Sequence, residues 1–295
     1  MRRKLRTPSH RRRHLAIYLL ATTTAVGFLI RLCVQLSSRH NRESDWESFL
    51  PLRNNEPDYC TEADLNSNKW ITSLYRNRFE SLYSNCSKVI RIGSSDDGGK
   101  LVCTDSLRKD NCVIYSLGSN LEFSFEQDAK NKLGCDIFTF DCTVGVIANG
   151  TIPRDIHFYP WCVGGRDEMK VISSNFGYTG ELGQYFSMET IMKKLSHQRV
   201  DLLKMDIERH EVHVINSLHG QVIPQQILFE THLHNAYGVW GRPMLRKEWS
   251  TMWQTLGSLG YRTFSYEPNP LCLCCCEWSV QLKSRLSQWA LKVSF

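Results

Sequence analysis

The sequence lacks internal repeats, low-complexity segments and an excess of basic residues in its main part. Its 295 residues carry 36 Lys and Arg against 30 Asp and Glu, but eight basic residues and no acidic ones lie within residues 1–31. The remaining 28 basic residues (36 − 8) face all 30 acidic ones, a net charge of −2. A basic nucleic-acid-binding surface is therefore not indicated. With 42% hydrophobic residues, the chain can build a sizeable core, and wholesale disorder is excluded.

The N-terminal 36 residues have the pattern of a membrane anchor. A basic tail over 1–14 precedes the apolar run 15–30, and because Arg31 can reach the interface, a helix over 15–36 is long enough to cross a bilayer. Basic residues before the run and acidic ones after it favour a cytoplasmic N terminus. We expect a type II single-pass protein of the endoplasmic reticulum or Golgi, with a stem over 37–58 and a lumenal domain over 59–295. The alternatives are a cleaved signal peptide, which would make the protein secreted, and a mitochondrial presequence.

The cysteines agree with a lumenal domain. Eleven of the 12 follow the apolar run, which is typical of compartments where disulfides persist. Their odd number leaves at least one free thiol or an intermolecular bridge. For the cluster at 272–276, strand residues paired with other cysteines are a simpler interpretation than zinc ligands. The triplets beginning at Asn85 and Asn149 permit N-glycosylation, although about one or two are expected by chance.

Short apolar segments alternate with helical patterns from residue 113 onward. Strands are predicted over 113–117, 137–140, 156–159, 200–205 and 227–229, and helices over 126–133, 188–195, 211–218 and 244–259. This alternation predicts an α/β fold with a parallel sheet and helices on both faces. The last two predicted strands, 263–266 and 278–282, have no helix between them and predict an antiparallel pair at one edge.

Three other segments have local patterns of their own. Residues 61–83 have helical spacing, and two apolar runs around a glycine-rich turn at 96–99 predict a β-hairpin over 89–103. Residues 178–185 are interpreted as a mobile lid or a simple loop, because Gly177, Gly180 and Gly183 interrupt them.

Glycine or aspartate follows three of the predicted strands. Gly118 follows the first strand, Asp141 the second and Asp206 the fourth. Ligands of open α/β sheets bind at the carboxyl ends of strands, where a glycine admits close approach and an acid can accept hydrogen bonds from a ribose. Because no G-x-G-x-x-G motif is present, a pyrophosphate is not indicated. A nucleoside ligand without one, above all S-adenosyl-L-methionine, fits better.

Four blocks of the chain resemble animal methyltransferase-like proteins of the type-24 kind and, more broadly, FkbM-type methyltransferases. They are IRIGSSDDGGKLVC (90–103), YSLGSNLEFSFE (115–126), FTFDCT (138–143) and DLLKMDIERHE (201–211). The resemblance covers about residues 60–282. It implies a seven-stranded, Rossmann-like class I methyltransferase sheet, S-adenosyl-L-methionine as donor, and O-methylation of a sugar or another hydroxyl acceptor.

The resemblance also implies roles for individual residues. The candidates for cofactor binding are Gly118, Ser119, Asn120, Glu126, Asp141, Cys142 and Asp206, with Asp141 at the ribose and Glu126 stabilising the turn and the helix after it. A role at the site entrance through Lys100 is implied for the 96–99 turn, which composition alone describes as an ordinary turn. Arg209 departs from the pattern, because the family usually has glycine there, and together with His210 it could change the substrate or weaken activity.

A hydroxyl acceptor must lose its proton, so a general base is needed. The candidates are Asp206, Glu208, His232 and His234. His232 and His234, together with Asp206 and Glu230, could also hold a divalent metal, but no metal ligand is assigned. The plainer alternatives are a helix N-cap for Asp141 and ordinary loop residues for the two histidines.

Two further functions agree with parts of the sequence. A metal-dependent glycosyltransferase would share the type II topology and the lumenal cysteines, and Asp206–Ile207–Glu208 imitates its acid-x-acid motif. A catalytically silent binding protein with a methyltransferase fold is suggested by Arg209 and His210. The methyltransferase is favoured because the acid-x-acid motif lies in a block that resembles methyltransferases. The expected partners are a small-molecule or glycan acceptor and the membrane, with no nucleic acid.

Overall fold

A computed structural model describes residues 84, 86–95, 98–144, 152–174, 177–208, 210–232, 246–269 and 275–282. Several expectations fall outside these ranges: the anchor at 15–36, the stem, the helical region 61–83, and the residues Asn85, Asn149, Arg209 and His234. Within the described ranges, no helix is both long enough and apolar enough to cross a membrane.

The described residues form twelve strands and four α-helices. The strands are β1 (Val89–Ile92), β2 (Lys100–Cys103), β3 (Val113–Leu117), β4 (Asp136–Phe140), β5 (Ile156–Tyr159), β6 (Cys162–Val163), β7 (Glu168–Ser174), β8 (Gly177–Phe186), β9 (Leu202–Met205), β10 (Gln226–His232), β11 (Tyr261–Pro268) and β12 (Cys275–Leu282). The helices are α1 (Ser124–Leu133), α2 (Met188–Lys194), α3 (Glu211–Ser217) and α4 (Arg246–Leu259).

Seven strands form one sheet in the order β11-β12-β10-β9-β3-β4-β5. Strands β10, β9, β3, β4 and β5 run parallel, whereas β12 runs antiparallel to both of its neighbours. The predicted seven-stranded α/β sheet and its antiparallel C-terminal pair are therefore confirmed. The pair lies differently from a simple edge hairpin, because β12 is inserted between β10 and β11. The chain moves outward from β3 to β5 and then returns to β9 beside β3, which creates a switch point.

The helices pack apolar residues onto both faces of the sheet. Helix α1 ends at Gly134, whose φ of +70° and N–H bond to the Lys130 carbonyl form a C-cap. The cluster under α1 and β1–β2 consists of buried strand and helix residues, among them Ile92, Val102, Ile114, Phe125, Ile137, Leu202 and Leu228. On the opposite face, α4 packs Trp249 and Trp253 against Trp278 of β12.

The predicted β1–β2 hairpin is present and is attached to β10 and β12. The Gln226 side chain donates to the Cys103 carbonyl at 2.6 Å and accepts from the Cys103 N–H at 3.0 Å. Ser279 donates to the Leu101 carbonyl at 2.8 Å. These bonds hold the hairpin over one face of the sheet.

Residues 178–185 do not form a loop, so that interpretation is wrong. They lie in β8, which pairs antiparallel with β7 and parallel with β6 in a separate three-stranded sheet. Gly183 is needed for close packing there, because a Cβ would lie 2.6 Å from Ile172 Cγ1 and 2.9 Å from Cys162 Sγ. The glycines that suggested a loop therefore interrupt the apolar pattern of a genuine strand.

Disulfides are present, as the cysteine usage predicts. They join Cys86 to Cys103, Cys112 to Cys135 and Cys142 to Cys162. Cys275 is also disulfide-bonded, and Cys276 is a buried free thiol among the described cysteines. This arrangement does not support zinc binding at 272–276, because Cys275, one of the two described cysteines of this segment, is already in a disulfide.

Trp278 is expected to be a main stability determinant of the C-terminal half. It is fully buried and donates from Nε1 to Thr231 Oγ1 at 3.0 Å. Trp278→Ala should lower the free energy of unfolding by about 3–5 kcal/mol, because it leaves a large cavity. Leu182→Ala, at a side chain that is 66% exposed, should change it by less than about 0.5 kcal/mol. Urea denaturation measures both, and similar losses in the two variants would contradict the packing described.

Candidate functional site

The candidate site lies where the carboxyl ends of β3, β4, β9 and β10 meet. These strands are parallel neighbours, so their ends share one edge of the sheet. Strand β12 begins at the same edge because it runs in the opposite direction. The switch point between β3 and β9 lies within this edge, which is where open α/β sheets bind ligands.

The turn after β3 depends on Gly118. Its φ is +78°, and a Cβ at this position would lie 1.9 Å from the Asp206 carbonyl oxygen. Its N–H donates to the Phe140 carbonyl at 2.9 Å, and its carbonyl accepts a hydrogen bond from Lys204 Nζ. Only glycine permits this approach of the β3 and β9 ends, so the structure brings Gly118 and Asp206 into direct contact.

Asp141 organises the two loops at the switch point. One carboxylate oxygen accepts from the N–H groups of Ser119 at 3.0 Å and Asn120 at 2.8 Å. The other accepts from the Thr143 N–H at 2.9 Å and the Thr143 hydroxyl at 2.6 Å. Asp141 thus caps a turn rather than a helix. Because a carboxylate has about four acceptor positions, a ribose hydroxyl would have to replace one of these donors.

The other cofactor candidates support the loops in different ways. Glu126 is 1% exposed and accepts from Ser116 Oγ at 2.5 Å, which ties α1 to β3. Burial raises the pKa of Glu126, and nearby Lys204 opposes this rise. Cys142 is held in a disulfide with Cys162, so it contributes no thiol and instead restrains the loop that carries Asp141.

Four carboxylates and a histidine form an acidic cluster beside the Gly118 turn. They are Asp206, Glu208, Glu230, His232 and Glu277. His232 is 5% exposed, and its Nε2 lies 3.4 Å from a carboxylate oxygen of Glu208 and 3.4 Å from one of Glu230. Of the base candidates, Asp206, Glu208 and His232 are thus brought together, and His234 lies outside the described residues.

Lys100 is the cation inside this cluster. It is 1% exposed, and its Nζ lies 2.6 Å from Glu277 Oε1 and 3.3 Å from Asp206 Oδ2. Burial lowers the pKa of Lys100, but Asp206, Glu277 and Glu230 outweigh burial and raise it above its ordinary value. The ammonium is therefore charged at every physiological pH.

The carboxylates around Lys100 differ in their pKa values. Burial raises the pKa of Asp206, but Lys100, Lys204 and His232 outweigh burial and bring it down to about 2. Burial raises the pKa of Glu277 to about 8, a rise that Lys100 opposes and Glu230 strengthens. Asp206 is therefore a stable anion near pH 7, and Glu277 ionises less readily than an exposed glutamate.

The backbone at Glu208 has an uncommon conformation. Its φ is +55°, a region that residues with a Cβ seldom adopt. Such strain is common in functional sites, where surrounding contacts maintain it. Glu211 supports this segment, because its Oε1 accepts from the Ile207 N–H at 2.7 Å. The strained residue directly precedes Arg209, where the family pattern has glycine.

Metal-ligand atoms occur in the acidic cluster but do not define a metal site. Oxygen and nitrogen atoms of Asp206, Glu208 and His232 lie within 4.8 Å of one another, as do those of Asp206, Glu230 and Glu277. Lys100 already supplies a cation to two of these carboxylates. We therefore assign no metal to the cluster and derive no chemistry from one.

Sequence reasoning missed Glu277 and did not connect Lys100 with Asp206. The sequence analysis placed Glu277 in the connection before the last predicted strand, 278–282. In the structure Glu277 lies within β12, which begins at Cys275. The available signal was the alternation of apolar and polar residues over 275–282. Lys100 could be anticipated only through the family resemblance, because a lysine beside a turn is normally exposed.

Gly118 and Gly134 provide a matched test of the turn after β3. Both have positive φ, but a Cβ at Gly134 would have no atom within 4 Å. Gly134→Ala should cost about 1 kcal/mol of stability from its backbone conformation alone. Gly118→Ala should cost several times more or prevent folding, because the β3 and β9 ends must separate. Thermal unfolding of both variants measures this, and equal effects would refute the close approach described.

Comparisons with known proteins agree with this geometry. A family model described as a methyltransferase domain matches residues 39–281. The probable methyltransferase-like protein 24 of Rattus norvegicus is 27% identical over 146 residues, and that of Homo sapiens is 26% identical over 133 residues. These alignments cover 45% and 43% of this chain but only 38% and 34% of the relatives.

Among solved structures, a Methanococcus jannaschii fibrillarin pre-rRNA processing protein is similar, with a TM-score of 0.37 and 8% identity over 68% of this chain and 85% of that chain. The relatives confirm the resemblance to methyltransferase-like animal proteins. Since the family model spans 243 of the 295 residues (39 to 281), this chain belongs to the methyltransferase domain family.

Proposed function

We propose that the protein is an S-adenosyl-L-methionine-dependent methyltransferase that O-methylates a sugar or another hydroxyl acceptor in the secretory pathway. The observation that carries the proposal is the Gly118 turn at the switch point, where the ends of β3 and β9 approach so closely that only glycine fits beside Asp206. Membership of the methyltransferase domain family supports the same donor.

The charge of the site suits a sulfonium donor. When bound, S-adenosyl-L-methionine supplies a methyl carbon on a positively charged sulfur, and this sulfur keeps the electron pair when the acceptor oxygen takes the methyl. Among the described residues, the acidic cluster has four carboxylates, and the lysines that lower the pKa of Asp206 are Lys100 and Lys204. This surplus of negative charge favours a cationic donor over an anionic one. Alignment of acceptor and methyl carbon then supplies much of the rate.

We infer that His232 accepts the hydroxyl proton. Its Nε2 lies 3.4 Å from a carboxylate oxygen of Glu208 and 3.4 Å from one of Glu230. The acceptor proton would pass to the imidazole as the oxygen–methyl bond forms. The two carboxylates would stabilise the imidazolium that results, as carboxylates do beside catalytic histidines.

A lumenal location is part of the proposal. The basic tail, the apolar run 15–36 and the 11 cysteines after it support it. The disulfides Cys86–Cys103, Cys112–Cys135 and Cys142–Cys162 support it further, because such bonds are rare in the cytosol. Microscopy of the tagged protein together with a protease-protection assay on intact vesicles tests it, and a protease-accessible domain on vesicles would contradict it.

Calorimetry on the purified full-length protein tests the donor. Binding of S-adenosyl-L-methionine without added metal is expected. Binding of a nucleotide sugar with manganese, and none of S-adenosyl-L-methionine, would instead identify a glycosyltransferase. Transfer of a labelled methyl group to arrayed glycans then identifies the acceptor. Donor binding without transfer to any acceptor class would favour the catalytically silent protein.

A ribose contact at Asp141 predicts a specific loss of affinity. In the wild type, S-adenosylhomocysteine should bind more tightly than its 2′-deoxy analogue, because one hydroxyl partner of the carboxylate is missing in the analogue. Asp141→Ala should weaken binding of both and abolish the difference between them. Thr143→Val removes a competing hydroxyl and should retain the difference. Calorimetric titrations measure all of these, and a difference that persists in Asp141→Ala would exclude the ribose contact.

A proton-accepting His232 predicts a rate defect without a binding defect. His232→Gln should lower the methyl-transfer rate by about 10²–10⁴-fold, while donor affinity changes little. His219→Gln is the control, since His219 lies on the surface near Glu189 at 3.7 Å. Rates from labelled-methyl transfer and affinities from calorimetry separate the two effects. An unchanged rate in His232→Gln would assign the base elsewhere in the cluster.

A further inference from the structure

Three glutamates form a row across neighbouring strands of the sheet. The antiparallel registers place Glu230 of β10 opposite Glu277 of β12, and Glu277 opposite Glu267 of β11. Like charges directly opposite one another destabilise a sheet. Two of them are also withdrawn from water, since Glu230 is 3% exposed and the Glu277 side chain is 11% exposed. Such a row requires cations beside it.

The β1–β2 hairpin supplies two cations to this glutamate row. Arg91 donates to both carboxylate oxygens of Glu267 at 2.5 Å, at the partly exposed end of the row. Lys100 reaches the buried part, with its Nζ 2.6 Å from Glu277 and 3.3 Å from Asp206. Lys100 therefore joins the glutamate row to the end of β9, whereas Arg91 does not.

Asp206 connects this ion pair to the proposed donor site. Its backbone carbonyl touches the Gly118 turn so closely that no side chain fits between them. A shift of Asp206 would therefore move the turn that is proposed to hold the donor. Without the Lys100 ammonium, Asp206 would face Glu277 with no cation between the two carboxylates.

We propose that Lys100 is a positioning residue for methyl transfer, whose ammonium holds Asp206 and Glu277 together beside the Gly118 turn. The inference rests on the proposed function and extends it to the β1–β2 hairpin. The hairpin is then part of the active site, although it lies outside the seven-stranded sheet. Its lysine acts through Asp206 and need not touch the acceptor.

Lys100→Met tests the inference, because methionine keeps an unbranched chain and removes the charge. Its affinity for S-adenosyl-L-methionine should fall by at least about tenfold, as measured by calorimetry on the full-length protein. Arg91→Met is the matched control: it removes the other ion pair of the same hairpin, away from Asp206. Its affinity should equal that of the wild type. Equal losses in the two variants would mean that only hairpin docking matters, and would overturn the inference.

A double variant separates positioning from stability. Lys100→Met combined with Glu277→Gln removes both charges of the ion pair. The melting temperature of this double variant should therefore be closer to that of the wild type than the melting temperature of Lys100→Met is. The double variant replaces the single variant in the binding test if Lys100→Met does not fold. Its donor affinity should stay low, because Asp206 is still released. Recovery of affinity would show that Lys100 merely neutralises Glu277, and would overturn the proposal. If the wild type binds no S-adenosyl-L-methionine, the proposed function is refuted, and the role of Lys100 is refuted with it. If only the Lys100 variants bind as the wild type does, the role of Lys100 alone is refuted.

Discussion

Carboxylates on three neighbouring strands repel one another, and the C-terminal half of the sheet depends on the cations that offset this repulsion. Glu230, Glu277 and Glu267 stand opposite one another in register, and Arg91 and Lys100 approach them from a hairpin earlier in the chain. Removing one partner of a buried ion pair is strongly destabilising, because the other charge stays buried without compensation. The hairpin is for this reason an integral part of the domain, and hydrogen bonds from the sheet to its backbone reinforce its position.

The same arrangement divides the candidate site into a rigid part and an electrostatic part. The rigid part is the Gly118 turn, which Asp141 holds through the amides of Ser119 and Asn120. The electrostatic part is the acidic cluster, in which Lys100 keeps Asp206 an anion while burial raises the pKa of Glu277. Because Asp206 contacts Gly118, the two parts are coupled. In the proposed mechanism, this coupling lets a single edge of the sheet both seat a cationic donor and receive a proton.

Much of the sheet could be predicted because its strands are buried and its helices are amphipathic. Strands such as 113–117 and 137–140 are short apolar runs followed by glycine or aspartate, and the structure has them within one residue. The strand at 177–186 was missed because Gly180 and Gly183 break its apolar pattern. The reason for glycine at position 183 lies in the tertiary structure, since Gly183 packs against Ile172 and the Cys142–Cys162 disulfide. Propensity cannot report a contact between residues that are distant in the chain.

The alternation of short apolar strands with helical patterns was sufficient to predict the α/β class, and residue types at strand ends predicted the edge of the candidate site and the candidates Gly118, Asp141 and Asp206. These features are local, since glycine, aspartate and apolar periodicity act within a few residues. Folding alone determined that Glu277 stands opposite Glu230, that Lys100 is buried between Glu277 and Asp206, and that all acceptor positions of Asp141 are used within the loops. The β10–β12 register depends on a pairing across 47 residues (277 − 230), and the placement of the hairpin depends on contacts across more than 100 residues. Both form only when the whole core does.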